Sequence, residues 1–121
     1  MTMTREEFVS VLKMVARDSA ADGVLKNLES PPGRRPALDL VKASKWFKQL
    51  GPEDREMVRW VAAEAAHACL FGVFCVLDRV RAFSRDSAAY LDLYYVAGGT
   101  RTLLNDFKEE ALHDILNAVD E

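Results

Sequence analysis

The stretch GPEDREMVRWVAAEAAHACLFGVFCVLDRVRAF, Gly51 to Phe83, decides the fold. From Pro52 onward its apolar residues cover most of a helical circumference, which predicts one long buried helix with the others wrapped round it. Three ionisable residues, Glu64, His67 and Asp78, interrupt it. At 3.6 residues per turn they share one side, with Trp60 and Phe71 between them. Burying such groups costs several kcal/mol unless they are paired or coordinated, so they define the candidate polar site. A helix from Pro52 to Phe83 would run about 48 Å, against a diameter of about 35 Å for a compact chain of this size. It must therefore bend, with Gly72 the expected place, or overhang and meet a partner.

N-terminal to this segment, Gly51 closes a helix expected from Ala37 to Leu50. Leu40, Ala43, Trp46, Phe47 and Leu50 form its apolar stripe, and Lys42, Lys45 and Lys48 form its wet side. Pro52 suits the first turn of the long helix, and Glu53 and Asp54 complement its dipole. Ser30–Pro36, with three prolines and a glycine, is a loop. Thr4 and Glu7 form a capping box that starts a first helix, whose expected face is Phe8, Leu12, Val15, Ala16 and Ser19. That helix should weaken at Asp22-Gly23, with a further short turn over 24–28.

After the long helix the period changes from helical to alternating. Runs over 90–96 and 100–104 flank Ala97-Gly98-Gly99, and Gly-Gly is a two-residue hairpin turn. Leu91, Leu93 and Tyr95 are expected to face the helices, leaving Tyr90, Tyr94 and Val96 on the other side. Asp106, with Glu109 three residues on, is read as the cap of a last helix buried through Phe107, Ala111, Leu112, Ile115 and Val119. His113 falls on the solvent side of that pattern. The expected architecture is mainly α (α+β): four helices with a long central one, and a C-terminal β-hairpin, in a single domain over 1–121.

Composition sets the outer bounds. The chain has 121 residues, half of them hydrophobic and 29% charged, enough for a core and unlike a disordered chain. A net charge of −3 gives no footprint for nucleic acid or anionic lipid. Cys69 and Cys75 are too far apart and too divergent on a helix to bridge, so both are expected as small core residues in a reducing compartment. Met1–Phe8 carries no signal-peptide pattern. The uncharged run Ala68–Leu77 is ten residues, short of the roughly 20 that span a bilayer. A soluble, cytoplasmic protein without membrane contact is expected.

Weighed as chemistry, the motifs point away from catalysis. Glu64-x-x-His67 is a helical metal-ligand spacing, yet only one copy is present where di-iron bundles use two. Glu64 and His67 therefore stand as weak metal candidates, and no cofactor is implied. Trp60, Glu64, His67, Phe71 and Asp78 together describe an apolar ligand pocket with convergent polar groups. The plainer alternative is that His67 and Asp78 are paired structurally by neighbours. Glu64 and Asp78 are about 21 Å apart along the axis, too far to act as a carboxylate pair. No Gly-x-Ser-x-Gly is present, and neither cysteine has an evident base. Arg34, Arg35 and the three lysines make a basic strip, but the helix after the Gly51 turn is too apolar to read base edges.

The segments FGVFCVLDRVRAF (71–83), LYYV (93–96) and LLND with EEALHDILNA (within 103–118) resemble a family of small uncharacterised bacterial proteins. The resemblance covers the C-terminal half and implies a soluble bacterial protein with no established activity. It draws attention to Asp78 and His113 without assigning either a role. The reading carried forward is a non-enzymatic binding or interaction protein, expected as a homodimer or with another protein partner. Tyr90, Tyr94 and Val96 or the overhanging helix would supply the interface, since interfaces favour aromatic residues. The alternative is a small-ligand or metal-binding protein using the polar cluster of the long helix.

Overall fold

The computed structural model describes residues 2–119, apart from the side chain of Val119. Met1, Asp120 and Glu121 lie outside it, and so does the expected burial of Val119. The helices are α1 (Arg5–Leu12), continuing through a π-helical segment (Lys13–Asp18) into α2 (Ser19–Glu29), then α3 (Leu38–Lys48), α4 (Pro52–Leu77) and α5 (Leu112–Val119). Strands β1 (Tyr94–Ala97) and β2 (Thr100–Leu103) pair antiparallel. The expected architecture, mainly helical with a long helix and a C-terminal hairpin, is the observed one.

The capping box forms as expected: Glu7 N–H donates to Thr4 Oγ1 at 3.0 Å, and Thr4 N–H to Glu7 Oε1 at 3.3 Å. Beyond Leu12 the register departs from the simple periodicity. The wider π-turns rotate the following residues outward, so Val15 is 58% exposed and Ala16 and Ser19 are also exposed, while Arg17 turns inward. Nor does Asp22-Gly23 end the helix. It runs on to Glu29 because Leu25 and Leu28 are buried against Phe47 of α3. Two buried leucines, each contributing roughly 1.5–3 kcal/mol, outweigh the ~1 kcal/mol cost of a mid-helix glycine.

Ser44, buried in α3, donates its hydroxyl to Leu28 O at 2.6 Å and so satisfies a carbonyl at the end of α2. Trp46 departs from the expected stripe and is half exposed. The turn into α4 is held by Arg55, whose guanidinium donates to Lys48 O and Leu50 O and lies over the Phe47 ring.

α4 ends at Leu77 rather than near Phe83. Val80 N–H bonds back to Cys75 O at 3.0 Å and Arg79 takes φ 66°, which together make a Schellman-type stop with arginine where glycine is usual. The left-handed backbone costs about 1 kcal/mol. Offsetting it, the Arg79 guanidinium sits 3.6 Å from the Tyr90 ring centroid and 4.5 Å from that of Phe107, with Asp92 Oδ1 at 3.5 Å. The remaining 26 residues make a helix of about 39 Å, uninterrupted through Gly72.

The core forms where α4 meets α1 and α5. Val9, Leu70, Phe74, Leu112, Ile115 and Leu116 bury one another, and Leu25, Leu28 and Phe47 form a second cluster beneath the N-terminal half of α4. α4 is nonetheless not wrapped by its neighbours. Its buried residues are Leu70, Gly72, Phe74 and Cys75, and only 17% of its most apolar 18-residue window is buried. By length and composition alone α4 is long and apolar enough to cross a membrane, as core helices of soluble proteins also are.

In the hairpin Gly98 and Gly99 both take positive φ, 58° and 81°, as a type I′ turn requires. The strands are shorter than expected, leaving Tyr90 and Leu91 outside β1 and Leu91 42% exposed. Leu93, Tyr95 and Ala97 are half-buried, whereas Tyr94 and Val96 face outward.

Gly72 gives a first testable consequence. An added Cβ there would meet only the flexible end of Arg81, whose Nη1 lies 2.7 Å away. Gly72→Ala should therefore raise folding stability by about 0.5–1 kcal/mol, read by urea denaturation at high dilution. A loss instead would mean that Arg81 is held rigidly on the helix.

Candidate functional site

The five residues singled out on the long helix do not converge. They are spread over about 27 Å from Trp60 to Asp78, and of the five Glu64 and His67 alone border a common hollow. Trp60, 60% exposed, lines a shallow hollow with Glu53, Glu56 and Met57. Glu64 and His67 border another with Arg17, Asp18, Ala21 and Ala63. Phe71 packs edge-on against the His113 ring, with centroids 5.6 Å apart. Asp78 lies past the helix end.

Asp78 has the densest polar environment. Its Oδ1 accepts from Leu112 N–H at 2.9 Å, and its Oδ2 from His113 N–H at 2.8 Å and His113 Nδ1 at 2.6 Å. The carboxylate side chain is 4% exposed. Leu112 and His113 open α5, so their amides belong to the first turn, which has no intrahelical acceptor. Ala111 precedes them and carries no side-chain oxygen. Asp78 therefore caps α5 through space and places a negative charge at the positive end of its dipole. His113, expected on the solvent side, is instead folded onto this carboxylate with its side chain 19% exposed. Asp78 and His113 resemble two members of a catalytic triad, but the Nε2 of His113 faces Asp114 Oδ1 at 3.5 Å rather than a nucleophile. This arrangement is a structural cap.

His67 is also engaged. Its Nδ1 lies 3.2 Å from Arg17 Nη1 and its Nε2 lies 3.3 Å from Asn117 Oδ1, which assigns acceptor and donor to the two ring nitrogens. Both nitrogens a metal would use are thus committed. Among the described residues no group of three or more His, Cys, Asp or Glu is placed to hold a metal ion. Glu64 is exposed and makes no hydrogen bond or ion pair with a described residue.

What α4 does assemble is an outward apolar surface. Its residues four apart form ridges, and the ridge Val58, Ala62, Ala66, Leu70 and Phe74 turns into the core. The adjacent ridge, Met57, Val61, Ala65, Cys69 and Val73, is exposed along its whole length. Trp60, Glu64 and Ala68 flank it and are exposed as well. Cys69, expected in the core, lies open on this ridge, while Cys75 is buried. The hairpin offers a smaller patch in Tyr94 and Val96, where Arg101 covers the Tyr94 ring at 4.3 Å.

No family model, no curated protein and no solved structure matches this chain.

Proposed function

We propose that this is a non-enzymatic interaction protein whose working surface is the outward face of α4. One observation carries the reading: five successive apolar residues of an exposed ridge, Met57 to Val73, face away from the protein's own core. Single exposed apolar side chains are ordinary, but a contiguous stripe flanked by Trp60 is what interaction surfaces present. The polar residues that suggested a ligand site are dispersed, and those best placed for chemistry satisfy backbone and side-chain partners. The hairpin patch around Tyr94 and Val96 is a secondary surface on this reading.

Cys69 supplies the test, because it sits mid-ridge while Cys75 is shielded within the chain. In cells making the protein at natural abundance, maleimide should label Cys69 at least about tenfold more slowly than in the denatured chain, as for thiols excluded from water. A Cys69 that labels as fast in the cell as in the denatured chain would overturn the proposal.

A further inference from the structure

The net charge of −3 conceals a segregation of charge along the chain. Residues 30–50 hold five of the 16 lysines and arginines but one of the 19 acids, so they carry +4 while the other 100 residues carry −7. The five cations are Arg34, Arg35, Lys42, Lys45 and Lys48, and all are exposed. None of them makes an ion pair with a described residue, Asp39 included.

The outward face of α3 sets these charges around apolar side chains. At about 100° per residue, Trp46, Lys42, Leu38, Lys45 and Lys48 fan over about 160°, opposite the buried Ser44 and Phe47. Leu38 stands at the middle of the fan and is 85% exposed, more than any other large hydrophobic among the described residues. Trp46, at one edge, is 52% exposed. Arg34 and Arg35 precede Leu38 by four and three residues, which keeps them within about 14 Å of it. Lysines alone would make an ordinary solvated face. Unpaired cations around a projecting leucine and an indole have the chemistry that meets a layer of anionic lipid.

We propose that this face of α3, with the loop before it, docks on an anionic membrane surface. The contact is peripheral, because the opposite side of the helix is committed to Leu25 and Leu28. Leu38 enters below the headgroups, the Trp46 indole sits at their level, and the long cationic side chains reach the lipid phosphates and carboxylates on either side. The acidic remainder of the chain is repelled by the same lipid field, which fixes the orientation. Single-stranded nucleic acid is the competing polyanion. It would pair with the cations and stack a base on Trp46, but it gives the projecting Leu38 no apolar partner. This surface lies on a different helix from the apolar ridge of α4 and does not depend on the reading of that ridge.

Vesicle flotation tests the proposal, with circular dichroism confirming that each variant folds. The protein should float with phosphatidylcholine vesicles containing about 30% phosphatidylserine and not with phosphatidylcholine alone. Lys42→Ala combined with Lys45→Ala should lower the partition coefficient about 25-fold, roughly fivefold per cation. Raising the salt to about 0.5 M should release the protein, and Leu38→Ser should weaken binding at low salt. The two tryptophans separate this face from that of α4. In Trp60→Phe, emission from Trp46 should shift to the blue on phosphatidylserine vesicles; in Trp46→Phe, emission from Trp60 should stay unmoved. Equal flotation with both vesicles, flotation with neither, or a shift confined to Trp60 overturns the proposal. So does poly(U) that strips the protein from the vesicles at equal phosphate concentration, which would make nucleic acid the occupant.

Discussion

Asn105→Ala should lower folding stability by about 3–5 kcal/mol, the largest single-residue effect expected in this protein. Asn105 is 1% exposed and makes three hydrogen bonds through its amide: Nδ2 donates to Leu77 O and Leu91 O, and Oδ1 accepts from Leu93 N–H, each at 2.8 Å. One side chain thus joins the end of α4, the approach to β1 and the exit from β2. Truncation orphans three backbone groups in a part-buried setting, and an unsatisfied group costs about 1–3 kcal/mol where water is excluded. At about 4 °C per kcal/mol for a chain of this size, the midpoint of thermal unfolding should fall by more than about 10 °C. Asn105→Asp keeps the shape but places a carboxylate against two carbonyl oxygens, so it should be no milder. If Asn105→Ala cost less than about 1 kcal/mol, water would be replacing these bonds and the junction would not depend on them.

Sequence pattern revealed the elements whose causes are local. Thr4 and Glu7 start a helix because both partners of the cap lie within one turn. Gly51-Pro52 separates α3 from α4, and Gly98-Gly99 supplies the two positive φ values of the turn. What escaped were relations between distant residues. Asn105 bonds residues up to 28 positions away and Asp78 bonds residues 34 and 35 positions away, and no periodicity carries such information. Asp78 carries a signal only once α4 is known to stop at Leu77, since a helix read on to Phe83 hides it. A carboxylate at the C-terminal end of a helix opposes that helix's own dipole, which implies that it serves another element. The burial of α4 is not legible in the sequence for a related reason: an all-round apolar helix looks the same whether its second face is covered by its own chain or left outward.

Asp78→Ala should destabilise by about 3 kcal/mol, and the ranking of variants around it separates a cap from a catalytic pair. The carboxylate holds two amides of the first turn of α5 and the His113 ring. A side-chain cap contributes about 0.5–2 kcal/mol and a charge-assisted hydrogen bond about 1.5–3 kcal/mol, with less than full additivity because the bonds share one group. Asp78→Asn retains an oxygen acceptor and should cost about half as much. His113→Ala removes the ring bond and the edge contact on Phe71 but leaves both amide bonds, so it should cost about 1–2 kcal/mol. The expected order of destabilisation is therefore Asp78→Ala, then Asp78→Asn and His113→Ala close together. Hydrogen exchange should localise the effect, with the amides of Leu112 and His113 losing protection in Asp78→Ala and retaining it in His113→Ala. Catalytic pairs commonly sit at a cost to stability, and removing one member then leaves the fold unchanged or firmer. An Asp78→Ala protein as stable as the wild type would place this pair in that class. A clear loss, confined to the start of α5, would establish that Asp78 and His113 join the end of one helix to the beginning of another.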